Sequence, residues 1–336
     1  MKPKVLFVYT HLSTFVKGDI EILEKDFDVR EYLCKNQPNW RLPFSLIKQF
    51  LFLLFSIRKF EVVYIWFADY HSFLPSVMGK IFKRRVFIVI GGYDVCREKR
   101  YQYGSFAKPL RAWMTLISIK KAYKNLAVSK NLARILSAIA PTAKIEVVYN
   151  GVRETRIHGF DTANGTLPRG KGVICVALVG REQGYYIKGI DRFVELAKRL
   201  PEIRFTLVGT DPELVERINI EIPANLNVVR GVPHEALQKF YLENSVYCQP
   251  SRRESFSLSL AEAMSFNLTP VVTRVGGMPE VVGNLGYIAN GNQLEDIADK
   301  IKAALEENFS INYRERIISE FSIHRRAENL LKTIHS

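Results

Sequence analysis

The 336-residue chain lacks most of the signatures by which a sequence declares its chemistry. No run of eighteen apolar residues occurs, which argues against a transmembrane helix. The four cysteines, Cys34, Cys96, Cys175 and Cys248, stand far apart with no C-x-x-C pair. That spacing argues against a zinc site and against a disulfide scaffold, and predicts reduced thiols in a cytoplasmic protein. No G-x-G-x-x-G follows an apolar run, which disfavours a dinucleotide-dependent enzyme. No acidic triplet occurs, so no catalytic metal is implied. Solenoid repeats and low-complexity tracts are missing too. The first residues, MKPKVLFVYT, run into polar THLSTF without a cleavage site and read as a buried strand rather than a leader.

What is present is organised in two halves. Nearly continuous apolar runs at Val5–Tyr9, Val62–Trp66, Val86–Ile90 and Ile145–Val148 suit strands buried on both faces of a parallel sheet. The scheme repeats at Val173–Val179, Phe205–Val208, Asn227–Arg230, Val246–Gln249 and Val271–Thr273, with helical segments such as Ile190–Leu200 and His234–Glu243 between. This alternation predicts an α/β chain of two Rossmann-like, doubly wound domains facing a cleft. The predicted boundaries are a first domain over 1–155, a Gly/Thr/Asn-rich linker over 156–171, and a second domain over 172–310. The tail, 311–336, contains an amphipathic helical pattern over Tyr313–Ile334.

Charge divides unevenly between these halves. Residues 1–150 hold 25 Lys and Arg against 11 Asp and Glu, the remainder 23 of each, so the whole excess of +14 lies in the first part. Trp40–Phe60, Lys80–Phe87 and Lys108–Lys124 interleave cations with Trp, Phe and Leu. Such segments suit an anionic membrane surface, or equally a core-facing apolar side with solvated cations. A basic nucleic-acid-binding protein is the competing class, but no recognisable binding motif is present and no nucleic-acid partner is expected.

The most informative segment is PSRRESFSLSLAEAMSFNLTPVVTRVGGMPEVV, Pro250 to Val282. Serines precede a run of helix formers, so Ser255 or Ser257 can cap a helix whose start offers unpaired N–H groups to a diphosphate. A carboxylate beside an anion site is repelled by phosphate, which suits Glu254 to neutral hydroxyls such as those of a sugar. Glu262, two turns on, could reach a second polyol such as ribose. The plainer alternative makes Glu254 a first-turn acid and Glu262 a surface residue.

Position for position, this segment resembles the E-x7-E signature of the retaining glycosyltransferases of family 4, which have the GT-B fold. The shared elements are a Pro-Ser, a Glu, a small residue, a Phe, a Glu-Ala-Met helix, a Pro-Val-Val strand and a Gly-Gly-x-Pro-Glu turn. The resemblance implies a nucleotide-diphosphate sugar donor of UDP, GDP or ADP type, no further cofactor, and a glycan or lipid-linked acceptor selected by the first domain. Glu254 would orient the donor sugar and Glu262 the ribose, with Ser255, Phe256, Ser257 and Leu258 around the phosphates. GREQGYYIKG resembles the family's Gly-Arg…Lys-Gly loop, so Arg181 and Lys188 would hold the diphosphate, in a loop about two residues longer than usual. VGTDP and VVRGVPHEALQKFY resemble stretches that place Gly209, Gly231 and Val232 near the nucleotide. In the first half, Gly18 falls in the segment resembling the loop over the donor phosphates. Asp94, in GGYDV, falls near the reacting centre, where Gly91 replaces the usual histidine, and His71 is a second candidate there. The tail would be a helix crossing back to the first domain. The implied protein works in the cytoplasm or peripherally on the cytoplasmic face of a membrane. A nucleotide-sugar epimerase of the same fold is the nearest alternative.

Overall fold

A computed structural model describes residues 2–35, 39–153, 170–291, 293–307 and 311–336. The chain divides into two compact units, the first comprising Met1–Asn150 with Ile323–Ser336 and the second Gly151–Ser322. Most of the predicted linker, 156–171, lies outside the described residues.

The first unit is built on a six-stranded parallel sheet. Its strands are β1 (Lys4–Tyr9), β2 (Asp28–Leu33), β3 (Val62–Trp66), β4 (Arg85–Ile90), β5 (Lys124–Ala127) and β6 (Ile145–Val147) in the order β2-β1-β3-β4-β5-β6. All five residues of β3 are buried, as are Val5–Tyr9 and Val86–Ile90, as expected of inner strands covered on both faces. β2 and β5 were not anticipated. β2 is an edge strand with largely exposed residues and two glutamate or aspartate positions, and β5 is only four residues, K-N-L-A. Helices are started by side-chain caps: Asp69 and Ser72 form a capping box at Tyr70–Ile81, and Ser129 Oγ accepts from Leu132 N at 3.1 Å to start Lys130–Ile139.

The predicted single helix over Tyr313–Ile334 is two. Tyr313–Phe321 belongs to the second unit and Ile323–His335 to the first, broken at Ser322 with ψ 157°. The last helix is fastened by a buried ion pair. Arg326 Nε and Nη2 each lie 2.6 Å from an oxygen of Asp19, which also accepts from Tyr64 OH (2.6 Å) and Trp66 Nε1 (2.8 Å). Arg326 Nη1 donates to the carbonyls of Val148 and Tyr149.

The second unit repeats the plan with β7 (Val173–Val179), β8 (Phe205–Thr210), β9 (Leu226–Val229), β10 (Val246–Gln249), β11 (Thr269–Thr273) and β12 (Tyr287–Ala289). All pair in parallel, in the order β12-β11-β10-β7-β8-β9. β12 is a three-residue edge strand that the sequence did not disclose. Its core joins Val173, Cys175, Phe193, Phe205, Leu207 and Cys248 with residues of the flanking helices. In each unit the strand order reverses beside the unit's first strand, at β1/β3 and at β7/β10. Ligands of open α/β sheets bind outside the carboxyl ends at such switch points.

Candidate active site

The carboxyl ends of β7 and β10 carry the segments singled out from sequence. After β7 the chain does not form the predicted open loop. Glu182–Ile187 is a helical turn, with Arg181 as its N-cap residue and Lys188 as its C-cap. The extra residues explain the difference: Tyr185 is buried in the core and anchors the turn. Arg181 is exposed, and its guanidinium has no partner among the described residues. Lys188 Nζ lies 2.7 Å from Glu254 Oε2. Gly189 follows with φ 70°, a conformation glycine adopts without strain. A Cβ there would sit 2.0 Å from the Pro250 carbonyl, so the glycine lets the two strand-end segments meet. Arg252 fixes the junction, pairing with both oxygens of Asp191 at 2.6 Å.

Glu254 is therefore no solvated first-turn acid. Its Oε2 accepts from Lys188 and from Gln249 Nε2 (2.8 Å), and its Oε1 from the Ser255 amide (3.1 Å). Beyond it, Leu258–Ser265 is a helix whose N-cap is Ser257. Ser257 Oγ donates to Gln249 Oε1 at 2.6 Å and accepts from Leu260 N at 3.3 Å. The N–H groups of Leu258 and Ser259 have no intrahelical acceptor, which leaves a helix start with unpaired donors shortly after Glu254.

Several predicted ligands change role. The Phe256 side chain is buried, edge-on to Phe321 at 5.5 Å, and so contributes to the core rather than to a ligand surface. Ser255 acts through its backbone, its carbonyl accepting from Gly277 N at 3.1 Å. Glu262 is not an ordinary surface residue: Tyr241 OH donates to it at 3.4 Å, His234 Nδ1 lies 3.9 Å away, and burial raises its pKa. Gly209 lies within β8 at φ 97°, backed by the Ala177 carbonyl. Gly231 and Val232 follow β9, Gly231 next to Leu178, a side chain 87% exposed at the end of β7.

In the first unit, Gly18 is not in a loop. It sits inside the helix Thr14–Leu23, buried, where a Cβ would meet Ile323 Cδ1 at 3.5 Å. Asp94 is fully buried and accepts from the amides of Ala68, Gly91 and Gly92 at 3.2, 3.1 and 2.6 Å. It organises the turn after β4 and presents no free oxygen to a reactant. Burial raises its pKa from 3.8 to about 6, against the opposing pull of those amides. His71 Nε2 donates to the Trp66 carbonyl at 2.8 Å, and burial lowers its pKa, so the ring is neutral. His71 lines a cavity of about 90 Å³ with Thr10, Gln49 and the Asp69–Arg111 pair, at the carboxyl ends of β1 and β3.

The sequence does contain one D-x-D, Asp26-Phe27-Asp28. Asp28 pairs with Lys4 and Asp26 with His335, and no group of three His, Cys, Asp or Glu that could hold a metal occurs among the described residues. Gln249 and Tyr247 were also missed. Gln249, a fully buried amide closing the apolar strand V-Y-C-Q, was the available signal, because an inner parallel strand has few reasons to carry one.

With this geometry established, comparison with known proteins places the family match within the second unit. Residues 168–321 match the family described as glycosyl transferases group 1. The chain is 30% identical over 131 residues to the sulfoquinovosyl transferase SQD2 of Arabidopsis thaliana, spanning 35% of this chain and 25% of that protein. It is 27% identical over 132 residues to the phosphatidylinositol N-acetylglucosaminyltransferase gpi3 subunit of Schizosaccharomyces pombe, spanning 37% of this chain and 29% of that one. The chain thus spans under a third of the length of these two curated relatives. Over 99% of its own length it superimposes on HepE of Anabaena, solved in complex with UDP and glucose, with a TM-score of 0.72, 14% identity and 100% of that chain covered. The architecture is the two-domain α/β arrangement of GT-B glycosyltransferases.

Proposed function

We propose that this protein is a retaining glycosyltransferase that moves a sugar from a nucleotide-diphosphate sugar to a hydroxyl of a glycan or lipid-linked acceptor. The observation that carries the reading is the Glu254–Lys188 pair at the β7/β10 switch point, beside the open helix start at Leu258. A carboxylate for sugar hydroxyls and cations for a diphosphate occupy one place, and the family match covers those residues.

Arg181, Lys188 and the Leu258 and Ser259 amides face developing negative charge on the departing diphosphate, the change on which rate acceleration depends. Lys188 leaves Glu254 for the phosphates, and Glu254 then accepts from the sugar. The bond from the anomeric carbon to the diphosphate oxygen breaks while the acceptor oxygen bonds to that carbon from the same face. The acceptor's proton passes to a donor phosphate oxygen, so no protein base is required. This assignment leaves Asp94 and His71 outside the chemistry.

The first unit takes the acceptor in this reading, and its surface favours a lipid-linked one held peripherally on the cytoplasmic face of a membrane. In the helix Leu42–Ser56, Phe44, Ile47, Leu51, Leu54 and Phe55 recur every three or four residues on the exposed side, while Gln49 and Leu53 are buried. Phe44 is 69% and Phe55 77% exposed, with Arg41, Lys48, Arg58 and Lys59 exposed nearby. An apolar surface helix flanked by cations suits an anionic bilayer. No helix among the described residues is long and apolar enough to cross one. The phosphatidylinositol named as substrate of the Schizosaccharomyces relative supports a lipid acceptor.

The test is thermal stabilisation by UDP-, GDP- and ADP-glucose, followed by donor turnover, in wild type, Glu254→Ala and Arg181→Ala. One donor should stabilise the wild type, and each variant should turn it over on the order of a hundredfold more slowly. Failure of every sugar nucleotide to bind the wild type, or a product of inverted configuration, overturns the proposal.

A further inference from the structure

Five side chains behind Glu254 form a hydrogen-bonded unit that a bare carboxylate–lysine pair does not need. Among the described residues, Gln249 is the buried amide with the fullest set of side-chain partners. Its Nε2 donates to Glu254 Oε2 at 2.8 Å and to Ser251 Oγ at 3.2 Å. Its Oε1 accepts from Ser257 Oγ at 2.6 Å and Tyr247 OH at 3.0 Å. Tyr247 OH is also hydrogen-bonded to Ser259 Oγ at 2.8 Å. Two donors and two acceptor positions are thereby used, which fixes the direction of the amide.

Ser257 adds a second observation. It is one of the few non-glycine residues at positive φ, with φ 75° and ψ 87°, a conformation that favours glycine. A serine persists there because its hydroxyl bridges Gln249 and the Leu260 amide. The turn that opens the helix start and the amide that holds Glu254 are thus one structure.

We infer that Gln249 is a positioning residue that keeps Glu254 aimed at the donor sugar after Lys188 has transferred to the diphosphate, with Ser257 locking its orientation. In the ligand-free protein Lys188 and Gln249 share Glu254 Oε2. Once the ammonium leaves, Gln249 is the remaining side-chain donor to that oxygen, and Oε1, held only by the Ser255 amide, is open to a sugar hydroxyl. The inference rests on the donor reading above, and it predicts a split between the two parts of the donor: the sugar depends on Gln249, the diphosphate does not.

The probes are UDP, GDP and ADP, each with and without glucose, titrated against wild type, Gln249→Leu, Glu254→Gln and the double variant. Gln249→Leu should weaken the preferred glucose conjugate roughly tenfold and leave its parent diphosphate within about twofold. In the Glu254→Gln background the extra loss on adding Gln249→Leu should vanish. Equal weakening of diphosphate and conjugate, or losses that simply add, would show a merely structural role and overturn the inference. A ligand-free measurement separates this from failure of the donor reading. Ser257→Gly should lower the melting temperature by about 2 °C less in Gln249→Leu than in the wild type, because the serine's partner is already gone. An identical shift in both backgrounds rules out the coupled unit, whatever the protein binds.

Discussion

The two units share a scaffold and spend their polar and apolar residues in opposite ways. Both are six-stranded parallel sheets whose order reverses beside the first strand. In the second, charged and amide groups converge at the switch point, 20 Lys and Arg stand against 22 Asp and Glu, and among its described residues only Leu178 and Ile318 are large exposed hydrophobics. In the first, charged groups are drawn inward as structural ties, Asp19 with Arg326 and Asp94 with three amides, while thirteen large hydrophobics among its described residues are exposed and 28 Lys and Arg outnumber 12 Asp and Glu. In the proposed reading, one sheet architecture serves recognition of a small polar ligand in one unit and contact with an extended surface in the other.

The largest test of this contrast is the buried ion pair. Asp19→Ala leaves Arg326 buried without a counter-charge, and should cost the first unit about 3–5 kcal/mol. Calorimetry should show its transition fall while that of the second unit stays in place, and a common shift of both would dissolve the distinction. Replacing both partners, Asp19→Leu with Arg326→Met, should recover much of the loss.

Next comes Asp94. Its folded pKa of about 6 exceeds the ordinary 3.8, so protonation favours the folded state. Its stabilising contribution is complete below the unfolded value and is lost as pH rises through about 6, a swing of roughly 3 kcal/mol at 1.36 kcal/mol per unit. Urea unfolding of the first unit across pH 4 to 7 should show this decline in the wild type and a flatter profile in Asp94→Asn. Parallel profiles would mean that Asp94 is not the titrating group.

A smaller effect should separate the surfaces. Phosphatidylglycerol-containing vesicles should sediment the protein, phosphatidylcholine alone should not, and added salt should weaken the association. Phe55→Ser should remove about 2 kcal/mol of that affinity without altering nucleotide-sugar binding. Indifference to lipid charge would reassign the apolar face.

The sequence disclosed the inner strands and the site of the second unit well, because both leave local patterns. β3 and β7 are unbroken apolar runs, and Glu254, Phe256 and Glu262 occur in a fixed short spacing. Edge strands β2 and β12 leave a weaker pattern, β2 because most of it is exposed and polar, β12 because it is only three residues long. Lys188 was found but its partner was not, because a pairing across 66 positions depends on which strands neighbour one another. Gly18 and Asp94 were assigned to the donor and the reacting centre from short, loose likenesses; in the structure Gly18 packs inside a helix and Asp94 accepts from turn amides. Nothing in the amphipathic tail distinguishes Arg326 from its neighbouring cations, and the break at Ser322 interrupts no apolar period.

The tie between Asp19 and Arg326 also sets an order of events during synthesis. Residues 151–322 are all present before residue 326 has been added, so the second unit can close as a continuous piece. The first unit, though begun earlier, holds the carboxylate of Asp19 beside Tyr64 and Trp66 without its guanidinium until the final helix arrives. Domains made first generally finish first on the ribosome. Here residues that follow the second unit complete the first, and the nascent protein carries an unfinished, apolar-faced unit while residues 151–322 are made.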